Sequence, residues 1–292
     1  MALGNLASRA LVAVIAAPIL IFSFYLDTPI VTWLIVLGAS LLAMWELFSM
    51  TLDDRRDRWV ALGFGAATCL AFYWLDPNAL PKTEAWQTLA MHGSTYPVLF
   101  FGIVGPGLYY LFRFRDMSTV ANRYASTVFG IFYAGVLLTC VAALKRDGGA
   151  NTGGDRVLFV LVVMWLGDTG AYFAGRFLGK HKLYPAVSPK KTWEGAFGGI
   201  AGSLAAAIVM KLIRDEHLGF GWVDLILITV PGAMLGQMGD LVESLFKRST
   251  GVKDSGAILP GHGGILDRID AVLFFAPWVY VYIQLASFVR AL

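Results

Sequence analysis

Long apolar runs separated by short polar segments dominate the 292-residue chain. A helix needs roughly 20 mainly apolar residues to cross a bilayer. Runs of about that length, predicted as membrane spans, lie at 9–26, 30–49, 59–75, 96–112, 126–144, 157–178, 194–213, 222–239 and 270–289. The alternation typical of barrel strands is not visible in the sequence, and helices satisfy their own backbone hydrogen bonds in lipid. The sequence therefore predicts an all-α polytopic integral membrane protein of about nine transmembrane helices.

The predicted spans form two groups along the chain. Residues 1–150 hold about five spans and a polar stretch, 76–95, expected to lie along the membrane interface. Residues 151–292 hold about four spans and the polar loops 179–193 and 240–270. Polar side chains beside membrane spans are expensive and are functional candidates by default. We therefore expect the second group to be the catalytic region.

Composition agrees with a membrane protein and excludes some partners. Hydrophobic residues make up 57% of the chain and charged residues 15%, whereas a soluble domain has about 25% charged residues. The formal net charge of +3 is too small to suggest nucleic acid. Sixteen of the 23 Lys and Arg residues fall in one set of loops together with the N-terminus. The positive-inside rule therefore predicts a cytoplasmic N-terminus and cytoplasmic polar loops.

Two polar sites stand out before residue 200. Asp168 interrupts the apolar segment "MWLGDTGAYFAGRFLGK", where a metal or substrate role competes with a structural ion pair. In "VSPKKTWEGAFGG", Ser188 and Pro189 predict a helix start, which Lys190 and Lys191 crowd. Free backbone N–H groups and two lysines would make an anion site there. A nonspecific patch for anionic lipid headgroups is an equal alternative.

The densest polar region is 236–270. Asp240, Glu243 and Lys247 share one helix face, and Asp267 and Asp270 form a second acidic pair where the last span begins. Carboxylates from two helix ends could hold Mg²⁺, which takes one or two carboxylates together with substrate phosphates.

Basic residues and glycines alternate with these acids. The basic residues are Lys247, Arg248, Lys253 and Arg268. The glycines at 261, 263 and 264 allow close backbone approach to a ligand, and His262 could contact a phosphate or shape the turn. The alternative is a solvated re-entry loop, in which Pro260 and the glycines only form turns.

The segment "SLFKRSTGVKDSGAILPGHGGILDRID", 244–270, resembles the signature of the CDP-diacylglycerol synthase (phosphatidate cytidylyltransferase) family. The signature's fixed positions are all matched. "SPKKTWEG" at 188–195 and "GDTGAY" at 167–172 also resemble family motifs, in the expected order. The resemblance covers roughly residues 160–290, whereas the first 150 residues match only in being hydrophobic and multi-span.

This resemblance implies the reaction CTP + phosphatidate → CDP-diacylglycerol + pyrophosphate with Mg²⁺, at a bacterial inner membrane. It also implies a cytoplasm-facing polar cavity open to membrane lipid, a second, monovalent cation such as K⁺, and a homodimer. Two alternatives stay open. One is a CTP-dependent membrane lipid kinase, and the other is an ion-coupled transporter that binds its ion at Asp168.

Residue roles follow from the resemblance as hypotheses. Asp240 and Asp267 are the first-choice metal ligands, followed by Asp168 and Glu243, and then by Asp270. Asp240, Asp267, Lys253 and Arg268 are the catalytic candidates. The candidates for binding substrate are Ser188, Lys190, Lys191, Thr192, Lys247, Arg248, His262, Gly263 and Gly264.

Overall fold

A computed structural model describes residues 17–76, 95–256 and 263–291. Residues 17–24 are helical, and the helices that follow are α1 (Ile30–Thr51), α2 (Arg55–Trp74), α3 (Thr95–Phe112), α4 (Met117–Gly148), α5 (Ala150–Phe177), α6 (Trp193–Leu218), α7 (Trp222–Ser249), α8 (Leu266–Ile269) and α9 (Val272–Ala291). Two short strands, β1 (Lys182–Tyr184) and β2 (Ser188–Thr192), lie between α5 and α6. π-Helical turns occur within α3 (Phe100–Val104) and α4 (Ile131–Val136).

Within the described part of the chain, seven helices are long and apolar enough to cross a membrane: α1, α3, α4, α5, α6, α7 and α9. This confirms a helical, multi-pass membrane architecture. The predicted span 59–75 is helical as α2 but is not among the seven, because its first turn is charged. The first sixteen residues, with the first eight residues of the predicted span 9–26, and residues 77–94 of the interfacial stretch lie outside the described residues. The count of nine therefore stays a prediction.

The β-hairpin corrects one sequence-based expectation. Strands β1 and β2 pair antiparallel, with Lys182 opposite Thr192 and Tyr184 opposite Ser188. The predicted helix start at Ser188 and Pro189 is wrong, because residues 188–192 form a strand and α6 begins at Trp193. The Thr192 side chain caps α6 by accepting a hydrogen bond from the backbone N–H of Gly195 (3.1 Å). The two lysines therefore lie on a strand that leads into the helix.

Glycines bring α5 and α6 into backbone contact. A Cβ added at Gly170 would lie 2.4 Å from the carbonyl oxygen of Gly198, and one at Gly202 would lie 2.5 Å from that of Leu166. A larger residue at either position would push the two backbones apart. Small residues permit this close approach between membrane helices. The closely packed α5–α6 pair and the hairpin that joins the two helices both contribute residues to the lining of the candidate site.

Candidate active site

A cavity of about 460 Å³ lies between α5, the hairpin, α6 and α7. This volume is within the range of small-molecule sites, roughly 300–1,000 Å³. Its charged and amide-bearing lining residues are Asp168, Arg176, Lys190, Lys191, Gln237 and Asp240. Residues from all three polar segments of the sequence therefore line this one cavity.

Opposite charges meet on the cavity wall. Lys191 Nζ on β2 lies 2.7 Å from Asp240 Oδ2 on α7, so an ion pair joins the hairpin to the helix. Asp168, on α5, is exposed to the cavity. Lys190 is exposed beside Lys191, and Arg176 donates a hydrogen bond to the Tyr172 hydroxyl (2.5 Å). The cavity thus contains two carboxylates and three cationic side chains.

Three carboxylates meet beside this cavity. Asp240 and Glu243, on α7, and Asp270, just before α9, each offer an oxygen, and these atoms lie within 4.8 Å of one another. The backbones come close because of Gly239, where an added Cβ would lie 2.5 Å from the carbonyl oxygen of Asp270. Asp240 belongs both to this acid cluster and to the cavity wall, so the two features form one site.

The acid cluster fits a hard divalent cation. Glu243 is buried, and its Oε2 accepts a hydrogen bond from Lys247 Nζ (2.9 Å). Its Oε1 is buried and has no hydrogen-bond partner among the described residues. Burial, and then the neighbouring Asp240 carboxylate, raise the pKa of Asp270 above its usual range. A bound cation would supply the missing partner of Glu243 and offset the repulsion among the three acids.

Asp267 lies in a different environment from these three acids. Its carboxylate accepts hydrogen bonds from Lys247 Nζ (2.6 Å) and from the backbone N–H groups of Gly264 (2.9 Å) and Ser255 (3.1 Å). Burial opposes ionisation, but the bonds from Lys247 and Gly264 outweigh it and lower the pKa of Asp267 to about 2. The structure thus groups Asp240 with Glu243 and Asp270, whereas Asp267 is hydrogen-bonded to Lys247 and to the backbone of Ser255 and Gly264. Its role as a metal ligand stays a prediction.

The remaining predicted residues surround the site. Thr192 lines the cavity, and Ser188 begins β2. Arg248 is exposed and donates to the carbonyl oxygen of Val252 (3.3 Å), and Lys253 is exposed on the same loop. These two basic residues are outside the cavity lining.

The other predicted site residues are Arg268, Gly263 and His262. Arg268 is exposed on α8, and Gly263 has a positive φ of 79°, a conformation that favours glycine. His262 lies outside the described residues.

One buried acid that contacts the polar segment before α8 was not selected from the sequence. Glu46, on α1, accepts hydrogen bonds from Ser255 Oγ (3.0 Å) and from the backbone N–H groups of Ile265 (3.0 Å) and Leu266 (2.9 Å). The available signal was a lone carboxylate within the apolar run 30–49, since ionisable residues inside spans are rare and functional. Arg176 was also missed, although it lies within a segment whose Asp168 was selected.

Comparison with known proteins identifies the family. The model of the Cytidylyltransferase family matches residues 7–286. The chain belongs to the cytidylyltransferase family. The phosphatidate cytidylyltransferase of Staphylococcus epidermidis is 36% identical over 271 residues, which cover 92% of this chain and 95% of that protein. The enzyme of the same name from Staphylococcus aureus is 34% identical over 272 residues, with the same two coverages. The resemblance drawn from residues 244–270 is thereby confirmed.

The match extends the resemblance to the N-terminal half of this cytidylyltransferase. The sequence motifs lie within residues 160–290, whereas the family model begins at residue 7. A shorter, closer match, to the phosphatidate cytidylyltransferase of Staphylococcus saprophyticus, is 55% identical over 121 residues, covering 41% of this chain and 46% of that protein. Helices α1 to α4 therefore belong to the family's architecture together with the motif-bearing helices.

Proposed function

We propose that this cytidylyltransferase transfers the cytidylyl group of CTP to phosphatidate, giving CDP-diacylglycerol and pyrophosphate. The observation that carries the proposal is the junction at Asp240, where the acid cluster meets a cavity lined with cations. Such a junction suits a triphosphate, whose charge is shared between a metal and basic side chains. The names of relatives that match 92% of this chain indicate phosphatidate as the acceptor.

The chemistry asks the protein mainly for positioning. A phosphate monoester is ionised at neutral pH, so its oxygen can attack the α-phosphorus of CTP without a strong base. A new P–O bond forms there, the bond from the α-phosphorus to the oxygen that bridges it to the β-phosphorus breaks, and pyrophosphate leaves. Holding the two phosphates together and neutralising their charge supply most of the rate enhancement in such transfers.

The basic cavity residues would bind the phosphates. Lys190 and Lys191 approach from the hairpin and Arg176 from the end of α5, so cations reach the cavity from two sides. Lys191 also contacts Asp240, so its ammonium group lies on the cavity wall and beside a member of the acid cluster. We infer that Lys191 contacts the triphosphate, with Lys190 and Arg176 completing the phosphate site.

Asp240, Glu243 and Asp270 would hold Mg²⁺. Bound there, Mg²⁺ would neutralise charge on the triphosphate as a Lewis acid. Asp168, on the facing wall, would be available to a second, monovalent cation such as K⁺. The excess of basic residues in one set of loops supports a cytoplasmic position for the site at a bacterial inner membrane, where soluble CTP meets a lipid substrate.

Product analysis tests the proposal. Purified protein in detergent is given phosphatidate, Mg²⁺ and CTP labelled separately in the cytidine and in the γ-phosphate. We expect cytidine label in CDP-diacylglycerol and γ label in pyrophosphate, with both lost when EDTA is added. In a parallel reaction with a polyprenol or similar lipid alcohol added, transfer of γ label to that alcohol with release of CDP would instead establish a lipid kinase. Absence of both products, with ion flux in proteoliposomes, would establish a transporter.

A further inference from the structure

Glu46 joins the first half of the chain to the loop that carries the family signature. It lies near the end of α1, is 3% exposed, and accepts hydrogen bonds from residues on both sides of the segment 257–262. Ser255 Oγ binds from before that segment, and the backbone N–H groups of Ile265 and Leu266 bind from after it. One carboxylate therefore binds both ends of the segment that connects α7 to α8, which we call the signature loop.

The close approach of this carboxylate explains why two positions of the loop are glycine. A Cβ at Gly264 would lie 2.4 Å from Glu46 Oε2, and one at Gly256 would lie 2.6 Å from Glu46 Oε1. Both distances are far inside van der Waals contact, so a larger side chain at either position would displace the carboxylate or the loop. The close approach of Glu46 therefore requires glycine on both sides of the segment 257–262.

The hydrogen bonds from Glu46 continue into the proposed site. Leu266 begins α8, and the next residue, Asp267, is bonded to Ser255 N, Gly264 N and Lys247 Nζ. Lys247 in turn donates to Glu243 of the acid cluster. Asp270 directly follows α8. The orientation of α8, and with it the position of Asp270 relative to Glu243, thus depends on where Glu46 holds the start of that helix.

We propose that Glu46 is a positioning residue for cytidylyl transfer, which sets the geometry of the acid cluster through the signature loop. The kinetic test of this inference rests on the proposed function, whereas its hydrogen-exchange test does not. Glu46 is neither among the residues that line the cavity nor a member of the acid cluster. It acts by fixing Ser255, Ile265 and Leu266.

The decisive variant is Glu46→Gln, which keeps the size of the side chain. An amide has one acceptor oxygen in place of two, so it cannot serve Ile265 N and Leu266 N on separate oxygens. The matched control is Asp155→Asn. Asp155 is also a fully buried carboxylate, bonded to Tyr25 and Arg214, and it is outside the cavity lining and the acid cluster.

Two measurements are made on the folded fraction of each variant. Hydrogen exchange of the amides of Ile265 and Leu266 is expected to accelerate in Glu46→Gln and to stay at the parent rate in Asp155→Asn. For Glu46→Gln we expect kcat to fall roughly 10- to 100-fold, since a displacement of about 1 Å at a site can cost that much. The Mg²⁺ concentration for half-maximal activity should rise, while the KM for phosphatidate changes little. Asp155→Asn should keep the parent kcat.

The outcomes separate the two proposals. Unchanged exchange at both amides in Glu46→Gln, or a kcat within about twofold of an active parent, would overturn the role of Glu46 and leave the function standing. A parent that makes no CDP-diacylglycerol would overturn the function, while the exchange result would still decide whether Glu46 holds the loop. If Glu46→Gln does not fold, Ser255→Ala removes one of the three bonds. It should then give a smaller change in the same direction, and parent-like exchange and kcat would contradict the proposal.

Discussion

Lys191 Nζ and Asp240 Oδ2 lie 2.7 Å apart, and this ion pair links the β-hairpin to α7 at the wall of the cavity. The same lysine belongs to a motif about 50 residues before the aspartate, so the pair brings two separate polar segments of the sequence to one place. It also sets a cation beside the acid cluster, which is the arrangement that binding of a metal–triphosphate complex requires.

Replacing Lys191 should weaken CTP binding. For Lys191→Ala we expect the KM for CTP to rise roughly 10- to 100-fold, because a hydrogen bond to a charged group contributes about 1.5–3 kcal/mol. Lys191→Arg should recover part of this loss. Steady-state kinetics with varied CTP measure the effect. Lys182→Ala is the matched control, since Lys182 is exposed on the same hairpin and is outside the cavity lining. Equal KM values for Lys191→Ala and Lys182→Ala would contradict a phosphate role.

Neutralising the acid cluster should abolish metal-dependent activity. Asp240→Asn and Glu243→Gln each remove a carboxylate from a group whose oxygens lie within 4.8 Å of one another. We expect kcat to fall at least about 100-fold and the half-saturating Mg²⁺ concentration to rise. Mg²⁺ titrations of activity measure both quantities. The control is Asp215→Asn, which alters a largely exposed carboxylate paired with Lys211. Parent-like Mg²⁺ titrations for both acid-cluster variants would exclude the metal assignment.

Asp267→Asn should behave differently from Asp240→Asn. The Asp267 carboxylate is bonded to Lys247 and to two backbone N–H groups, so its loss should loosen the loop and lower kcat. The half-saturating Mg²⁺ concentration should change less than in Asp240→Asn, because Asp267 is not grouped with the other three acids. A Mg²⁺ shift as large as that of Asp240→Asn would favour the sequence-based assignment of Asp267 as a direct ligand.

Gly264→Ala should destabilise the protein. Its Cβ would lie 2.0 Å from Ser255 Oγ, and overpacking of this kind costs about 1–3 kcal/mol. Gly38→Ala on α1 is the control. Among the described residues, no heavy atom other than those of the neighbouring residues and the local helix backbone lies within 4 Å of a Cβ there. Alanine in a helix interior is favoured over glycine by about 1 kcal/mol. Thermal unfolding in detergent should show opposite shifts. A loop that accepts alanine at 264 without loss would show that Glu46 does not hold it tightly.

Much of the fold could be predicted from hydropathy alone. Seven of the predicted spans coincide with helices long and apolar enough to cross a membrane, because burying twenty apolar residues in lipid leaves the backbone no alternative to a helix. The hairpin at 182–192 was not predicted, since the Ser-Pro pair at 188 and 189 is equally typical of a helix start. Only the pairing of β2 with β1 decides between the two.

The sequence predicted which residues form the candidate site better than it predicted which of them lie together. The sequence selected Asp168, Lys191, Asp240, Glu243 and Asp270, and the structure places them at one cavity and its adjoining acid cluster. Spacing along the chain could not show which acids share a cation, because that depends on how α7 meets the residues before α9. The family itself was predicted from residues 244–270 and is confirmed.

The hydrogen bond from Leu266 to Glu46 also has a consequence for biosynthesis. It joins positions 220 residues apart, and the chain is made from its N-terminus. α1 is therefore synthesised with its carboxylate long before the backbone groups that will satisfy it. A lone carboxylate in a bilayer is costly, so we expect α1 to be less stably inserted until residues 255–266 have been synthesised. Residues 265–270 then have two roles at once: they supply hydrogen-bond donors to a carboxylate of α1, and they contribute Asp270 to the acid cluster.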